Sequence, residues 1–384
     1  MKIVIVIDLI DTLTNGSVMT ARRFADGLRE RGHSVKIVAV GADGEDDCPV
    51  QERYVPVLTE ISAKNQIKFG KFEREKIAKA FEGADIIHFI FPFQLEKKCK
   101  QLADEMGIPT TAAFHVQPEN VSYNAHMGKS KLFNSLIYAY FKNTFYDEFQ
   151  RIHCPSAFIA NQLVKHGYKG EPYVISNGYD KAFVPPQTKR ENEKFEIVMV
   201  GRLAPEKNQK VLISAVAQSK YKDNIHLTLC GNGSCKAKLV KQAEKLGVDV
   251  SFEFLPKEQL IAKLQQSDLY VHSATVEIEA IACIEAIACG LVPVIADSAL
   301  SATPQFALDK RSLFKDNDPY SLAEKIDFWY ENKEERLRMG GMYANYAKTF
   351  SLEHSLEQAE KMFTDQIRES GGLQKMSKKP QNAY

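Results

Sequence analysis

The stretch "EIEAIACIEAIACGLVPVIA", Glu277–Ala296, contains the hexapeptide Ile-Glu-Ala-Ile-Ala-Cys twice in tandem. On an α-helix, at about 100° per residue, a shift of six positions turns a side chain by about 240°, so the two copies cannot present the same face. As a strand the pair would be overlong and filled with Ala and Glu, both poor strand formers. The pattern predicts that the second copy is a short buried helix, closed by Gly290 and followed by a strand over Val292–Ala296. The first copy then lies in the loop and first turn that lead into that helix.

The same alternation runs through the chain. Apolar β-like runs "IVIVID", "SVKIVAV", "ADIIHFIF", "IPTTAAF", "RIHCPS" and "PYVISNG" are separated by amphipathic helical stretches. After the polar, proline-containing segment Val184–Lys194 the pattern restarts with "FEIVMVG", "IHLTLCG", "DVSFEFL", "DLYVHSA" and "LVPVIA". This predicts an α/β protein with two Rossmann-like parallel sheets and a ligand cleft where the two domains face each other. Chemistry is expected in the loops that leave the C-terminal ends of the strands. Helical spacing of apolar residues over Pro319–Arg368, including the single tryptophan Trp329, predicts core packing.

Composition narrows the function. The 384 residues carry a net charge of +1, which gives no global electrostatic case for nucleic acid. Seven scattered cysteines form no CxxC pair, so neither a disulfide framework nor a zinc site is expected, and a reducing cytosol is favoured. Asp8 and Asp11 cut the apolar start too short for a signal-peptide core. No segment approaches the about 20 apolar residues of a membrane-spanning helix.

The strand "FEIVMVG" runs into "GRLAPEKNQ", placing Gly201, Arg202 and Lys207 together at a helix entry. A turn open at the backbone with two cations suits a phosphate or diphosphate, although two solvated surface charges read equally well from this stretch alone. "CGNGSCK", Cys230–Lys236, lacks the spacing of a phosphate loop and is read as a strand-to-helix turn. "DND", Asp316–Asp318, precedes Pro319 and is read as a helix entry rather than a metal site.

"GRLAPEKN" followed some seventy residues later by "HSATVEIEAIACIEAIACGLVPVIA" resembles the retaining nucleotide-sugar glycosyltransferases of the GT-B fold, family GT4. The family signature is two glutamates separated by seven residues, and Glu277 and Glu285 have that spacing. The resemblance implies that Glu285 binds the ribose of the donor nucleotide and that Glu277 holds the transferred sugar. It also implies that backbone N–H groups at Ile281 and Ala282 meet the diphosphate, with Gly201 beside them. Arg202 and Lys207 would offset charge on the leaving group. Gly16 resembles part of a glycine loop that approaches the diphosphate, and His115 the histidine near the reacting sugar. Glu279, matched in the hexapeptide repeat to Glu285, has no fixed role and is expected to be solvated or acceptor-facing. The family's Gly-Phe-Gly after the first glutamate is here Ile278-Glu279-Ala280, and the β-branched residue at 278 is expected to alter the loop.

Residues 1–183 are thus expected to bind the acceptor and 184–350 the nucleotide sugar, with a helix over 351–370 packing back on the first domain and a disordered tail over 371–384. The implied activity is metal-free, retaining transfer of a hexose, with glucose and UDP favoured, and with no separate cofactor. Lysines and aromatics interleaved over Val121–Phe149 and Lys64–Phe81 suggest docking on anionic membrane, and the resemblance to GT4 enzymes that glycosylate lipid carriers implies a lipid acceptor such as diacylglycerol or a glycolipid and a peripheral place on the inner face of the cell membrane. The same helices also read as core-facing with solvated lysines. Alternatives are transfer to a soluble saccharide or a cell-surface polysaccharide precursor, a non-catalytic nucleotide-sugar-binding protein, and an NAD(P)-dependent oxidoreductase. The last lacks a G-x-G-x-x-G after the first strand.

Overall fold

Residues apolar on both faces make a strand that must be covered on both sides, and the first strand, β1 (Lys2–Leu9), is buried along nearly its whole length. The structure, a computed structural model, describes residues 1–11, 16–54, 68–124, 130–188 and 192–377. β1 is an interior strand of a seven-stranded sheet with β2 (Ser34–Val40), β3 (Cys48–Pro49), β4 (Ile86–Phe89), β5 (Thr110–Ala113), β6 (Arg151–Cys154) and β7 (Glu171–Val174), in the order β3-β2-β1-β4-β5-β6-β7. A second sheet holds β8 (Phe195–Val200), β9 (Ile225–Cys230), β10 (Val250–Glu253), β11 (Leu269–His272), β12 (Pro293–Asp297) and β13 (Leu313–Lys315), in the order β10-β9-β8-β11-β12-β13. All the strand pairings within the two sheets are parallel.

The sequence runs read above correspond to eleven of these strands. β3 and β13 were not anticipated. They are two and three residues long, too short to display a period, and β3 ends in Pro49, which a sheet tolerates at its edge.

The chain divides into two compact units. One comprises Met1–Pro118, Lys131–Asn177 and Leu352–Tyr384, the other Glu119–Ser130 and Gly178–Ser351. Tyr179 and Phe183 are already in the core of the second unit, so the chain changes unit before the polar segment that begins at Val184. Trp329 is fully buried in that core, and Asp318 caps the helix Pro319–Glu331 by accepting from the N–H groups of Tyr320 and Ser321.

The C-terminal helix Leu352–Ser377 lays Leu356, Ala359, Met362 and Phe363 into the core of the first unit. A Cβ on Gly27 would meet Leu356 Cδ1 at 2.4 Å, so the glycine lets Leu356 of this helix pack closely on the helix Gly16–Glu30. Arg31 and His33 hold Glu360, and Arg151 hydrogen-bonds Gln366. The expectation of disorder from 371 is corrected: the helix continues to Ser377. A long helix anchored along one face extends more easily than it starts, which carries it past Gly371 and Gly372. Residues 378–384 lie outside the described residues.

Candidate active site

In each sheet the strand order reverses once, between β1 and β4 and between β8 and β11, and the loops that leave such a reversal diverge to leave a crevice. In the second unit those two loops carry the motif residues. The loop after β8 holds Gly201, Arg202 and Lys207, and the loop after β11 holds Glu277 and leads into the helix Ile281–Ala288.

The two loops are tied together by their backbones. The Ser273 hydroxyl donates to the Lys207 carbonyl at 3.0 Å, and the Thr275 N–H donates to the Glu206 carbonyl at 2.9 Å. Asn208 and Asn317, both at positive φ (56° and 60°), are joined by a side-chain hydrogen bond of 2.8 Å that links the first of these loops to the one after β13. The turn after β9 presses against the loop after β8. A Cβ on Gly231 (φ +153) would lie 2.0 Å from the Gly201 carbonyl oxygen, and one on Gly233 (φ +157) 2.4 Å from that of Leu203. "CGNGSCK" is therefore the strand-to-helix turn expected, and its glycines let it support the Arg202–Lys207 loop.

Within this frame Lys207 forms an ion pair with Glu277 Oε1, and His272 Nε2 lies 3.1 Å from the same oxygen. Burial pushes the Glu277 carboxyl up, but the Lys207 ammonium and the His272 hydrogen bond outweigh it and hold the group down to about 2. Glu277 is thus an ionised carboxylate in a buried place. Both donors sit on Oε1, and Oε2 accepts no hydrogen bond from the described residues. Arg202 is half exposed and held by Glu206, a buried carboxylate four residues on, at 2.8 Å.

The helix Ile281–Ala288 starts as the repeat predicts, and β12 follows it after Gly290, at φ +83. Ile281 and Ala282 are half-buried in its first turn, where N–H groups have no carbonyl of a preceding turn to reach. Glu285 is buried in the second turn. Glu279 is 1% exposed, so the expectation of a solvated carboxylate is corrected: the loop folds inward between Glu277 and the helix. The strained residue is also not Ile278. Ala280, the N-cap, holds φ 75 and ψ 69, a left-handed conformation that glycine adopts without penalty.

His115 and Gly16 belong to the first unit. Gly16 opens the helix Gly16–Glu30, and an added Cβ there meets nothing within 4 Å. His115 follows β5, is 6% exposed, and has no hydrogen-bond partner for either ring nitrogen among the described residues. Burial, with His153 and His88 nearby, pushes it well below the ordinary histidine range. His88 is a packed core residue, as its place on a buried strand suggests, bonded to Thr111 at 2.9 Å.

Sequence reasoning missed His272, Tyr270 and Glu206. His272 and Glu206 stand inside the two quoted motifs, but nothing in one sequence distinguishes them from core and surface residues. It also missed a buried carboxyl pair in the first unit. Asp8, at the end of β1, accepts from the Gly70 N–H at 2.6 Å, and burial pushes both Asp8 and its neighbour Glu96 up.

Two all-parallel Rossmann-like units, one carrying a cationic turn and a glutamate pair at its strand reversal, define the GT-B class of glycosyltransferase fold. Residues 14–183 match the family described as Glycosyltransferase Family 4, and residues 180–344 that described as Glycosyl transferases group 1. The chain belongs to the GT4 glycosyltransferases. It is 28% identical over 231 residues to a D-inositol 3-phosphate glycosyltransferase of Corynebacterium glutamicum (strain R), covering 54% of this chain and 55% of that protein. The chain spans about half the length of the inositol-phosphate relatives it matches. Among solved structures, Anabaena HepE in complex with UDP is 16% identical with a TM-score of 0.71, covering 95% of this chain and all of that one (100%). The catalytic domain of the cholesterol-α-glucosyltransferase of Helicobacter pylori is 54% identical, covering 41% of this chain and 99% of that one, with a TM-score of 0.38.

Proposed function

We propose that the protein transfers a hexose from a nucleotide diphosphate sugar to an acceptor, with retention of configuration and without a metal ion. The observation that carries this reading is Glu277, held ionised by two donors on Oε1 while Oε2 has none from the described residues. A carboxylate so held is suited to accept from a sugar hydroxyl. The half-buried N-terminus of the helix Ile281–Ala288 suits the diphosphate, and Glu285 the ribose. As the bond to the sugar breaks, charge grows on the leaving diphosphate, and Lys207 and Arg202 offset it. The leaving phosphate takes the acceptor's proton on the same face. In the first unit His115, buried with both ring nitrogens unpartnered among the described residues, is suited to hydrogen-bond a sugar hydroxyl. UDP is the favoured nucleotide and glucose the favoured sugar.

The acceptor is a membrane lipid such as diacylglycerol or a glycolipid, reached from a peripheral position. Among the described residues no helix is long and apolar enough to cross a membrane. The helix Lys131–Thr144 buries Asn134, Tyr138 and Phe141 but exposes Leu132, Leu136 and Tyr140 at 73%, 60% and 57%. These three residues follow at four-residue spacing on one face, with Lys131 at its start and the Lys97 ammonium 4.6 Å from the Tyr140 ring. An apolar stripe edged by cations matches an anionic membrane surface. Lys142 does not belong to that face, because it pairs with Asp147 at 3.1 Å, and Lys129 and residues 64–67 lie outside the described residues.

The test is a screen of purified protein with labelled UDP-, GDP- and ADP-sugars and a lipid extract, with and without chelator. Transfer of labelled hexose into lipid, unaffected by EDTA, is expected. Glu285→Ala should weaken nucleotide binding and Glu277→Ala chiefly slow transfer. No donor turnover with any acceptor points to a binding protein, and activity restored only by manganese overturns the metal-free mechanism.

A further inference from the structure

We infer that His272 is a positioning residue for the carboxylate that meets the donor sugar, with Tyr270 setting which of its ring nitrogens carries the proton. The inference rests on the donor-site reading above and adds to it two residues that contact no ligand.

Tyr270 and His272 are two apart on β11, and alternate residues of a strand share a face. Both are buried, at 0% and 1% exposure, in the middle of the second sheet. The Tyr270 oxygen lies 3.0 Å from His272 Nδ1, and His272 Nε2 lies 3.1 Å from Glu277 Oε1. A buried hydroxyl must place its proton on an acceptor, and among the described residues Nδ1 is the one that Tyr270 has. Burial also pushes the Tyr270 hydroxyl well above its ordinary value, so it keeps that proton. Nδ1 therefore accepts, and Nε2 carries the N–H. The opposite arrangement would set a bare nitrogen lone pair against an ionised carboxylate.

Glu277 is then gripped at one oxygen from two directions. Lys207 comes from the loop after β8 and His272 from the end of β11. The Ser273 hydroxyl, next to His272, fixes the Lys207 carbonyl at 3.0 Å, so the spacing of the two donors is itself held. A lysine alone, on a flexible stem, restrains the position of one oxygen but leaves the plane of the carboxylate free to turn. The imidazole N–H, rigid in its strand, restrains that plane and so determines where Oε2 stands.

Such a role separates sugar recognition from nucleotide recognition. The experiment compares His272→Leu, His272→Gln and Tyr270→Phe with the wild type for nucleoside diphosphate affinity by calorimetry, transfer kinetics, thermal melting and the 15N spectrum of the histidine rings. Glutamine can still offer an N–H near the position of Nε2. His272→Leu is expected to lower kcat/KM for the nucleotide sugar by about 10- to 100-fold, the range for one charge-assisted hydrogen bond, with Kd for UDP changed less than twofold. His272→Gln should recover most of that loss, and Tyr270→Phe should show a smaller one. The wild-type spectrum should show His272 as the Nε2–H tautomer, and Tyr270→Phe a mixture. Equal kcat/KM in His272→Leu and wild type overturns the inference. So does a parallel loss of UDP affinity, or a glutamine variant no better than leucine. If the wild type binds no nucleoside diphosphate, the donor-site reading fails instead, and the ring spectrum still decides whether Tyr270 sets the tautomer.

Discussion

Lys207 and Glu277, seventy positions apart in the chain, form an ion pair whose side chains are only 17% and 10% exposed. Removing one partner of a buried pair strands the other charge, at about 3 kcal/mol or more. Lys207→Ala should therefore lower stability by about that amount in urea unfolding, and lower transfer about a hundredfold or more. The double variant Lys207→Met/Glu277→Gln should regain most of the stability and none of the activity. Full stability in the single variant would show that Glu277 is not held by this charge.

Ala280 concerns the same loop. A left-handed alanine costs about 1 kcal/mol, which glycine avoids, while glycine loses somewhat more backbone freedom on folding. Ala280→Gly should leave the protein more stable by about 0.5 kcal/mol, visible as a melting temperature about 1 to 2 °C higher. A drop in melting temperature would mean that the alanine side chain packs more usefully than its dihedral hurts.

Three histidines in the first unit should stay neutral well into the acid range. Burial lowers His153 to about 4, and lowers His88 and His115 well below 6.5. Their folded values lie below their unfolded ones, so the stability they contribute is fully present above pH 6.5 and is lost as pH falls toward 4. For His153 the full difference is on the order of 3 kcal/mol. Ring-proton NMR between pH 7.5 and 5 should show the signals of these three unchanged. Titration of all three near 6.5 would contradict their burial.

The exposed stripe on Lys131–Thr144 makes the membrane proposal testable. A lysine near an anionic surface adds about 1 kcal/mol, and the attraction decays within about 8 Å at physiological salt. Sedimentation with vesicles rich in anionic lipid should fall at high salt. It should be lost in Leu132→Asn/Leu136→Asn/Tyr140→Asn, with nucleotide affinity intact. Binding indifferent to lipid charge, or full activity on a water-soluble sugar without sedimentation at low salt, would favour a saccharide acceptor.

The pattern of β-like runs alternating with amphipathic helical stretches made the two parallel sheets legible, and eleven of the strands lie on those runs. The tandem hexapeptide also announced its own asymmetry, since a six-residue shift on a helix changes the face. The second copy does lie in the helix Ile281–Ala288, and the first supplies the loop before it and its first turn. It was the resemblance to the family's paired-glutamate motif that nominated Lys207, Glu277 and Glu285, and the motif fixes their places relative to β8 and to that helix.

Tertiary structure decided the state of those groups. Whether Glu277 is ionised depends on a lysine seventy residues away and on His272, which lies on the neighbouring strand only because β11 pairs with β8. The inward turn of Glu279, the strain at Ala280 and the need for glycine at Gly231 follow from how closely loops from different strands pack. Hydrophobic pattern is a property of neighbours along the chain and can be read there. Proton position, burial of a single carboxylate and close approach of two backbones are properties of neighbours in space, and they arise only once the strands have been put side by side.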